Sequence, residues 1–203
     1  MTITWLGHAC FALESDSHRI IIDPYRDVPR FRALQEEADA AFCSHGHYDH
    51  AATEAVTLSG GTHPFAVTEL PTWHDEVQGA KRGKNTVRIF EAEGLRIAHL
   101  GDLGHQPNEE VLSHLRNVDV LLIPVGGIYT INPAEAKVLA DAVGASLTVP
   151  MHYRRGDLGF DVIADVEDFL SLFPSEQVIR IDGNRFCPSD YPQGTVLLPS
   201  YLK

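Results

Sequence analysis

The order of the chain predicts a layered α/β fold with helices outside its sheets. Three observations carry this. Strand-like runs dominate the N-terminal half, strands and helices alternate in the C-terminal half, and histidines collect where apolar runs end. The 203 residues contain no repeat, low-complexity stretch or Pro/Ser-rich linker that would divide them. A single domain over residues 1–203, with a sizeable core, is therefore expected.

Each element has its own signal. Residues 2–6, 10–14 and 19–23 read as short strands, separated by the turn residues Gly7-His8 and Ser15-Asp16-Ser17. Asp23-Pro24 stops the third. Residues 38–44 read as a buried strand running into His45, and 51–58 as a helix ending at Ser59-Gly60-Gly61. Residues 65–68 form a short strand in this reading, and 86–91 with 95–100 a hairpin turned by Ala92-Glu93-Gly94. Alternation then begins: helix 109–116, buried strand 118–125, helix 133–143, strand 146–151, helix 162–173, and strands 177–181 and 195–198. The helix at 133 carries the strongest start signal, with Asn132 as N-cap, Pro133 at the first position and Glu135 completing a capping box.

Composition narrows the function. Hydrophobic residues make up 44% and charged residues 22%, and the formal net charge is −12. Such a balance argues against nucleic acid as a partner, because phosphate-backbone binding needs a basic footprint. No apolar run is long enough to cross a membrane as a helix. The N-terminus lacks the basic segment of a secretory signal. The three cysteines, Cys10, Cys43 and Cys187, are odd in number and widely spaced, which fits small buried side chains and a reducing cytoplasm better than a disulfide framework. A small-molecule substrate is the expected partner, and a homo-oligomer is compatible with the sequence.

The eleven histidines are the unusual entry in the composition. Ser44-His45-Gly46-His47-Tyr48-Asp49-His50 follows an apolar strand. Histidines at i and i+2 of an extended chain project to the same side and can reach one cation. Asp49 and His50 follow at once and can face a second. Neutral imidazole and carboxylate suit zinc and similar divalent ions. Downstream, residues 95–100 deliver Gly101-Asp102, and 147–151 deliver His152, again at strand ends. A third histidine from a later loop could be His63, His74 or His99. His63, between Gly60-Gly61 and Pro64, reads as an exposed turn residue. His99, inside a strand, reads as a supporting or core residue.

The His45-x-His47-x-Asp49-His50 cluster resembles the HxHxDH signature of the metallo-β-lactamase superfamily, and the resemblance extends from Gly7-His8 to His152-Tyr153. The stretch His74-Asp75, Gly79, Arg82-Gly83, Asn85, His99-Leu100-Gly101-Asp102-Leu103-Gly104-His105 is similar to small bacterial and archaeal hydrolases of that superfamily. This implies a four-layer αββα sandwich of two mixed sheets with helices outside. It also implies His74 as the third histidine and a two-metal site. One ion would be held by His45, His47 and His74, the other by Asp49, His50 and His152, with Asp102 bridging. Zinc is the first expectation for both ions, with manganese or iron(II) as alternatives.

The implied chemistry is hydrolysis of a lactone, ester, thioester, amide or phosphodiester by a hydroxide bridging two metal ions, with Asp49 orienting the nucleophile. Aspartate rather than cysteine at 102 argues against antibiotic degradation. The short stretch after His152 leaves no room for a helical substrate domain. The nearest branch by resemblance is the ascorbate-6-phosphate lactonase-like one, with a similar Gly126-Gly127-Ile128-Tyr129-Thr130 loop, so a lactone is slightly preferred. Two other classes are weighed against this: a mononuclear iron oxygenase of the same fold, which needs fewer ligands, and a non-catalytic metal-binding protein. His8, in the first turn, and His105, just after the Asp102 loop, are candidate catalytic residues. Asp23 is a candidate support for the ligands. Tyr129 is a candidate cleft residue, and Arg154 or Arg155 could meet an anionic substrate group. Trp5 is read as core, and His18 and His114 as surface.

Overall fold

In the computed structural model, which describes residues 1–202, two principal sheets face one another across the main core. The first is built around β1 (Thr2–Gly7), β2 (Cys10–Ser15) and β3 (His18–Ile22), an antiparallel meander. Its side chains obey the period of two. Ile3, Trp5, Phe11, Leu13, Ile20 and Ile22 enter the main core, whereas Leu6, Cys10, Ala12 and Ile21 face the other way. That second face is covered by Tyr25, Val28, Leu34, Ala38 and Val56. The outer layer here is irregular chain and a small parallel ribbon of β4 (Glu36–Ala38) and β6 (Val56–Leu58), rather than α-helix.

This ribbon accounts for two departures from expectation. The strand expected over 38–44 is split at Asp39: β4 pairs with β6, and β5 (Ala40–Phe42) pairs in parallel with β3. Asp39 sits between them and accepts from the backbone N–H of Arg19 (2.9 Å) and the hydroxyl of Ser59 (2.6 Å). No α-helix forms over 51–58. A single 3₁₀ turn, Thr53–Ala55, leads into β6. Ala52 and Val56 are both buried, which mimics helical spacing. The β-branched Val56 and Thr57 instead take ladder positions opposite Glu36 and Glu37.

The second sheet has seven strands. β7 (Ala66–Trp73), β8 (Lys84–Ala92) and β9 (Leu95–His99) are antiparallel, and β9 continues in parallel to β10 (Val120–Pro124), β11 (Leu147–Met151), β14 (Thr195–Leu198) and the edge strand β12 (Val178–Arg180). β7 is twice as long as the sequence suggests. Pro71 lies inside it, which is tolerated because β7 is an edge strand. The β8–β9 turn uses Glu93 (φ 53°) and Gly94 (φ 74°), the left-handed pair of a two-residue hairpin. β13 (Arg185–Phe186) adds to β1 and was too short to read.

The α-helices are α1 (Glu109–Leu115), α2 (Pro133–Val143) and α3 (Val166–Leu170). They bury Val111, Leu115, Leu139, Val143, Val166 and Phe169 in the main core. The α2 capping box is formed as expected, and Gly144 (φ 65°) closes the helix. α3 starts four residues later than expected. Its preceding segment is occupied in tertiary pairing: Ala164 N–H donates to Gly126 O (2.8 Å), and Asp165 bridges to Arg154. The four-layer sandwich of two mixed sheets is thus present, with one outer layer largely non-helical. No described helix is long and apolar enough to cross a membrane. Of the cysteines, Cys10 is buried while Cys43 and Cys187 are half-buried, and all three are free.

Candidate metal centre

Ligand-type side chains arrive from the carboxyl ends of five strands. His8 follows β1, the His45–His50 loop follows β5, His74 follows β7, the Asp102 loop follows β9, and His152 follows β11. Both sheets therefore open toward one point at their rims, the usual location of sites in α/β architectures.

Three groups form there, each with ligand atoms mutually within 4.8 Å: His8, Asp49, His50 and His152; His45, His47 and His74; and His45, His50 and Asp102. Asp102 lies in the middle. Its Oδ1 is 3.2 Å from His50 Nε2, and its Oδ2 is 3.2 Å from both His74 Nε2 and His152 Nε2 and 4.0 Å from His45 Nε2. His8 Nε2 approaches Asp49 Oδ2 at 3.5 Å, and its ring packs on that of His152 at 4.2 Å.

The donor set fits divalent cations. His8 Nε2, His45 Nε2, His50 Nε2 and Asp102 Oδ1 are buried and have no hydrogen-bond partner. Buried polar atoms are almost always satisfied, so a converging group of orphans marks a place for ions. For His45 and His50 the opposite ring nitrogen is held. His50 Nδ1 donates to Asp23 Oδ2 (2.8 Å), and His45 Nδ1 donates to Ser44 Oγ (2.9 Å), whose hydroxyl passes on to Asp23 Oδ2 (2.6 Å). In the neutral ring, each bond leaves Nε2 facing the cluster with its lone pair, the arrangement by which outer carboxylates orient metal-binding imidazoles.

The electrostatics follow from burial and from like and unlike charges. Burial, with His50 nearby, pushes His45 down to about 3; burial and His152 push His8 down to about 4. Both imidazoles are thus neutral at pH 7. Burial would lower His50 as well, but Asp102 and Asp23 outweigh it and raise it well above its ordinary value. Burial would raise Asp23, yet the His50 hydrogen bond and surrounding imidazoles hold it at about 2. Asp102 is likewise held well below the carboxylate range by His152 and His50, against its desolvation.

Backbone features set the ligand positions. Asn85 Nδ2 donates to Leu100 O (2.9 Å) and its Oδ1 accepts from Asp102 N–H (3.0 Å), pinning the Asp102 loop. His99 is buried without joining the cluster: Nε2 donates to Ala9 O (2.8 Å) and Nδ1 accepts from Gly101 N–H (3.1 Å). It supports the loop, as expected. A Cβ at Gly126 would collide with His152 O, so only glycine lets the 126–130 loop pass behind this histidine.

Other candidates fall elsewhere. His105, expected as a catalytic residue, lies outside the cluster. Its Nδ1 donates to Gln106 O (2.8 Å), its Nε2 accepts from Trp73 N–H (3.2 Å), and it lines a separate hollow with Glu76 and Gln106. Being three residues from Asp102 in sequence did not bring it to the same side of the loop. His63 is half-buried against Phe42 and Phe65, away from the cluster. Arg154 pairs with Asp165 (3.5 Å) and is not in the cleft. The cations that do line the cleft are Lys81 and Arg82; Arg82 belongs to the stretch that carries the family resemblance, but nothing in the sequence marks either as a cleft residue. The cleft occupies about 600 Å³ and is also lined by Tyr48, Tyr129 and Phe160.

A cluster of imidazoles and carboxylates at the mouth of two facing mixed sheets defines a metal-dependent hydrolase of the metallo-β-lactamase fold. Residues 2–152 match the Beta-lactamase superfamily domain, and the chain belongs to that superfamily. Within it, the chain is similar to proteins described as UPF0173 metal-dependent hydrolases. It is 30% identical to the one from Methanoregula boonei, covering 83% of this chain and 88% of that protein, and 31% identical to the one from Archaeoglobus fulgidus, covering 83% and 89%. A crystal structure of a metallo-β-lactamase superfamily protein from Thermotoga maritima superimposes with a TM-score of 0.78 at 35% identity, over 99% of both chains.

Proposed function

We propose that the chain hydrolyses a lactone or ester of a small molecule, using two divalent metal ions, zinc first among them. One group of ligands is His45, His47 and His74; the other is Asp49, His50 and His152; Asp102 is shared. The observation that carries this reading is the Asp102 carboxylate, with one oxygen facing His50 and the other facing both His74 and His152 at 3.2 Å. A carboxylate so placed belongs to both groups at once.

Bound divalent ions supply Lewis acidity and a water acidic enough to deprotonate near neutral pH. The chain's own residues do the rest. Asp23, Ser44 and Asn85 hold the ligands in register. Asp49, opened to the cleft and facing His8 Nε2, orients the attacking water and accepts its proton. His8, kept neutral by burial, faces Asp49 and holds that carboxylate in place. Tyr48, Tyr129 and Phe160 wall the substrate. A lactone or ester is preferred over a nucleic-acid phosphodiester because the net charge of −12 opposes a polyanion. Three free cysteines support a cytoplasmic setting.

The test is metal analysis of the purified protein followed by a parallel screen of lactones, esters and phosphodiesters. Two equivalents of zinc and lactone or ester turnover are expected. One equivalent of iron with consumption of oxygen would overturn the reading, as would phosphodiester turnover alone.

A further inference from the structure

Among the described residues, the cleft holds one cation that no carboxylate neutralises. Lys81 and Arg82 both line it, but Lys81 pairs with the Glu76 carboxylate. The Arg82 guanidinium meets no acidic partner among the described residues; its central carbon lies 5.5 Å from the centroid of the Tyr129 ring. In a chain of net charge −12, an unpaired arginine beside the cluster is not part of a generally basic surface.

The backbone that carries it is fixed from below. Asp75, next to the ligand His74, accepts four backbone N–H groups. Oδ1 takes those of Val77 (2.9 Å) and Gly79 (2.8 Å), and Oδ2 those of Lys81 (2.9 Å) and Arg82 (2.7 Å). Gly79 closes the loop at φ +80°, where a Cβ would stand 2.8 Å from both Gly83 O and the Trp73 ring. One carboxylate thus folds the 75–83 loop and ties Arg82 to the residue beside a metal ligand. The guanidinium lies over the Tyr129 ring, and its side-chain donors make no hydrogen bond among the described residues. A planar fork of that kind matches a carboxylate or phosphate with two parallel hydrogen bonds.

We infer that Arg82 is a specificity-determining residue that binds an anionic group of the substrate, a carboxylate or phosphate set apart from the bond that is cleaved. The apolar part of the molecule lies against Tyr48, Tyr129 and Phe160. This rests on the hydrolase reading for its catalytic consequence, but not for binding.

Binding and turnover test it separately. Benzoate, phenyl phosphate and neutral benzamide are titrated by calorimetry into zinc-loaded and metal-free protein, for the wild type, Arg82→Gln and Arg82→Lys. Melting temperatures check that the variants fold. The wild type is expected to bind an anion more tightly than benzamide, with R82Q weakening the anion by about tenfold or more and R82K recovering part of it. Persistence of the effect without zinc separates Arg82 from direct metal coordination, and the tighter of the two anions identifies the group. In turnover, the preference for mono-p-nitrophenyl succinate over p-nitrophenyl acetate should fall by about tenfold in R82Q, mainly through KM. Equal binding of benzamide and the anions, or anion binding indifferent to R82Q, overturns the inference. Arg82-dependent binding without turnover of either ester supports the anion site and counts against the esterase reading instead.

Discussion

His50 Nδ1 donates to Asp23 Oδ2 at 2.8 Å, and the same carboxylate receives the N–H and the hydroxyl of Ser44, both at 2.6 Å. One fully buried aspartate at the end of β3 therefore fixes two neighbouring parts of the cluster: the His50 ring directly, and His45 through Ser44. Replacing it by asparagine keeps the size but removes the charge that holds His50. Asp23→Asn should weaken metal binding by about 10- to 100-fold, the usual effect of losing an outer partner of a metal-bound histidine. Competition with a chromogenic chelator measures this, and wild-type affinity in the variant would refute the role.

The ligand assignment makes a sharper demand. Asp49→Ala and His152→Ala should each lower the bound metal and abolish hydrolysis. His63→Ala, remote from the cluster, should leave metal content at the wild-type level. Metal content is read by elemental analysis of protein purified without added chelator. Full stoichiometry in either site variant would remove that residue from the ligand set.

Metal uptake should also release protons. In the metal-free protein, Asp102 and Asp23 favour the protonated form of His50 and raise its pKa against burial. A cation at Nε2 needs that nitrogen unprotonated, so binding displaces the proton. Zinc affinity should therefore rise with pH up to the raised pKa of His50 and fall toward acid, where the imidazole holds its proton more firmly. Adding zinc to weakly buffered protein with a pH indicator detects the release. Uptake without acidification at neutral pH would show that His50 is already neutral or not a ligand.

Gly126 gives a test through the backbone. It has no room for a Cβ behind His152 O, and His152 Nδ1 stands 3.2 Å from where that atom would be. Gly126→Ala must push the 126–130 loop or His152 aside. Overpacking of this kind costs about 1–3 kcal/mol. A lower melting temperature together with reduced metal content is expected. Unchanged values for both would mean the loop relaxes without moving the ligand.

Much of the architecture was legible because it is local. Alternation in β1 to β3, the α2 capping box and the strand-end positions of His45, Asp102 and His152 depend on neighbours in sequence. What was illegible depends on distant pairing. Residues 51–58 carry a helical spacing that the β4 partner overrides. Pro71 hides the length of an edge strand. His105 lies close to Asp102 in sequence, yet hydrogen bonds to Trp73 and Gln106 turn it into another hollow.

The sequence by itself determined the kind of chemistry. Its spacing of histidines and aspartates at the ends of apolar runs specifies a cation-binding site, since residue type and strand periodicity suffice for that. Only the tertiary structure decided how those side chains come together in one cluster. Asp102 reaches both groups because β9 lies between the strands that bring His74 and His152. Likewise, Arg82 rather than Arg154 faces the cleft, because Asp75 folds the loop beneath it while Asp165 takes Arg154. Such choices depend on which distant carboxylate captures which donor, and no local pattern encodes that.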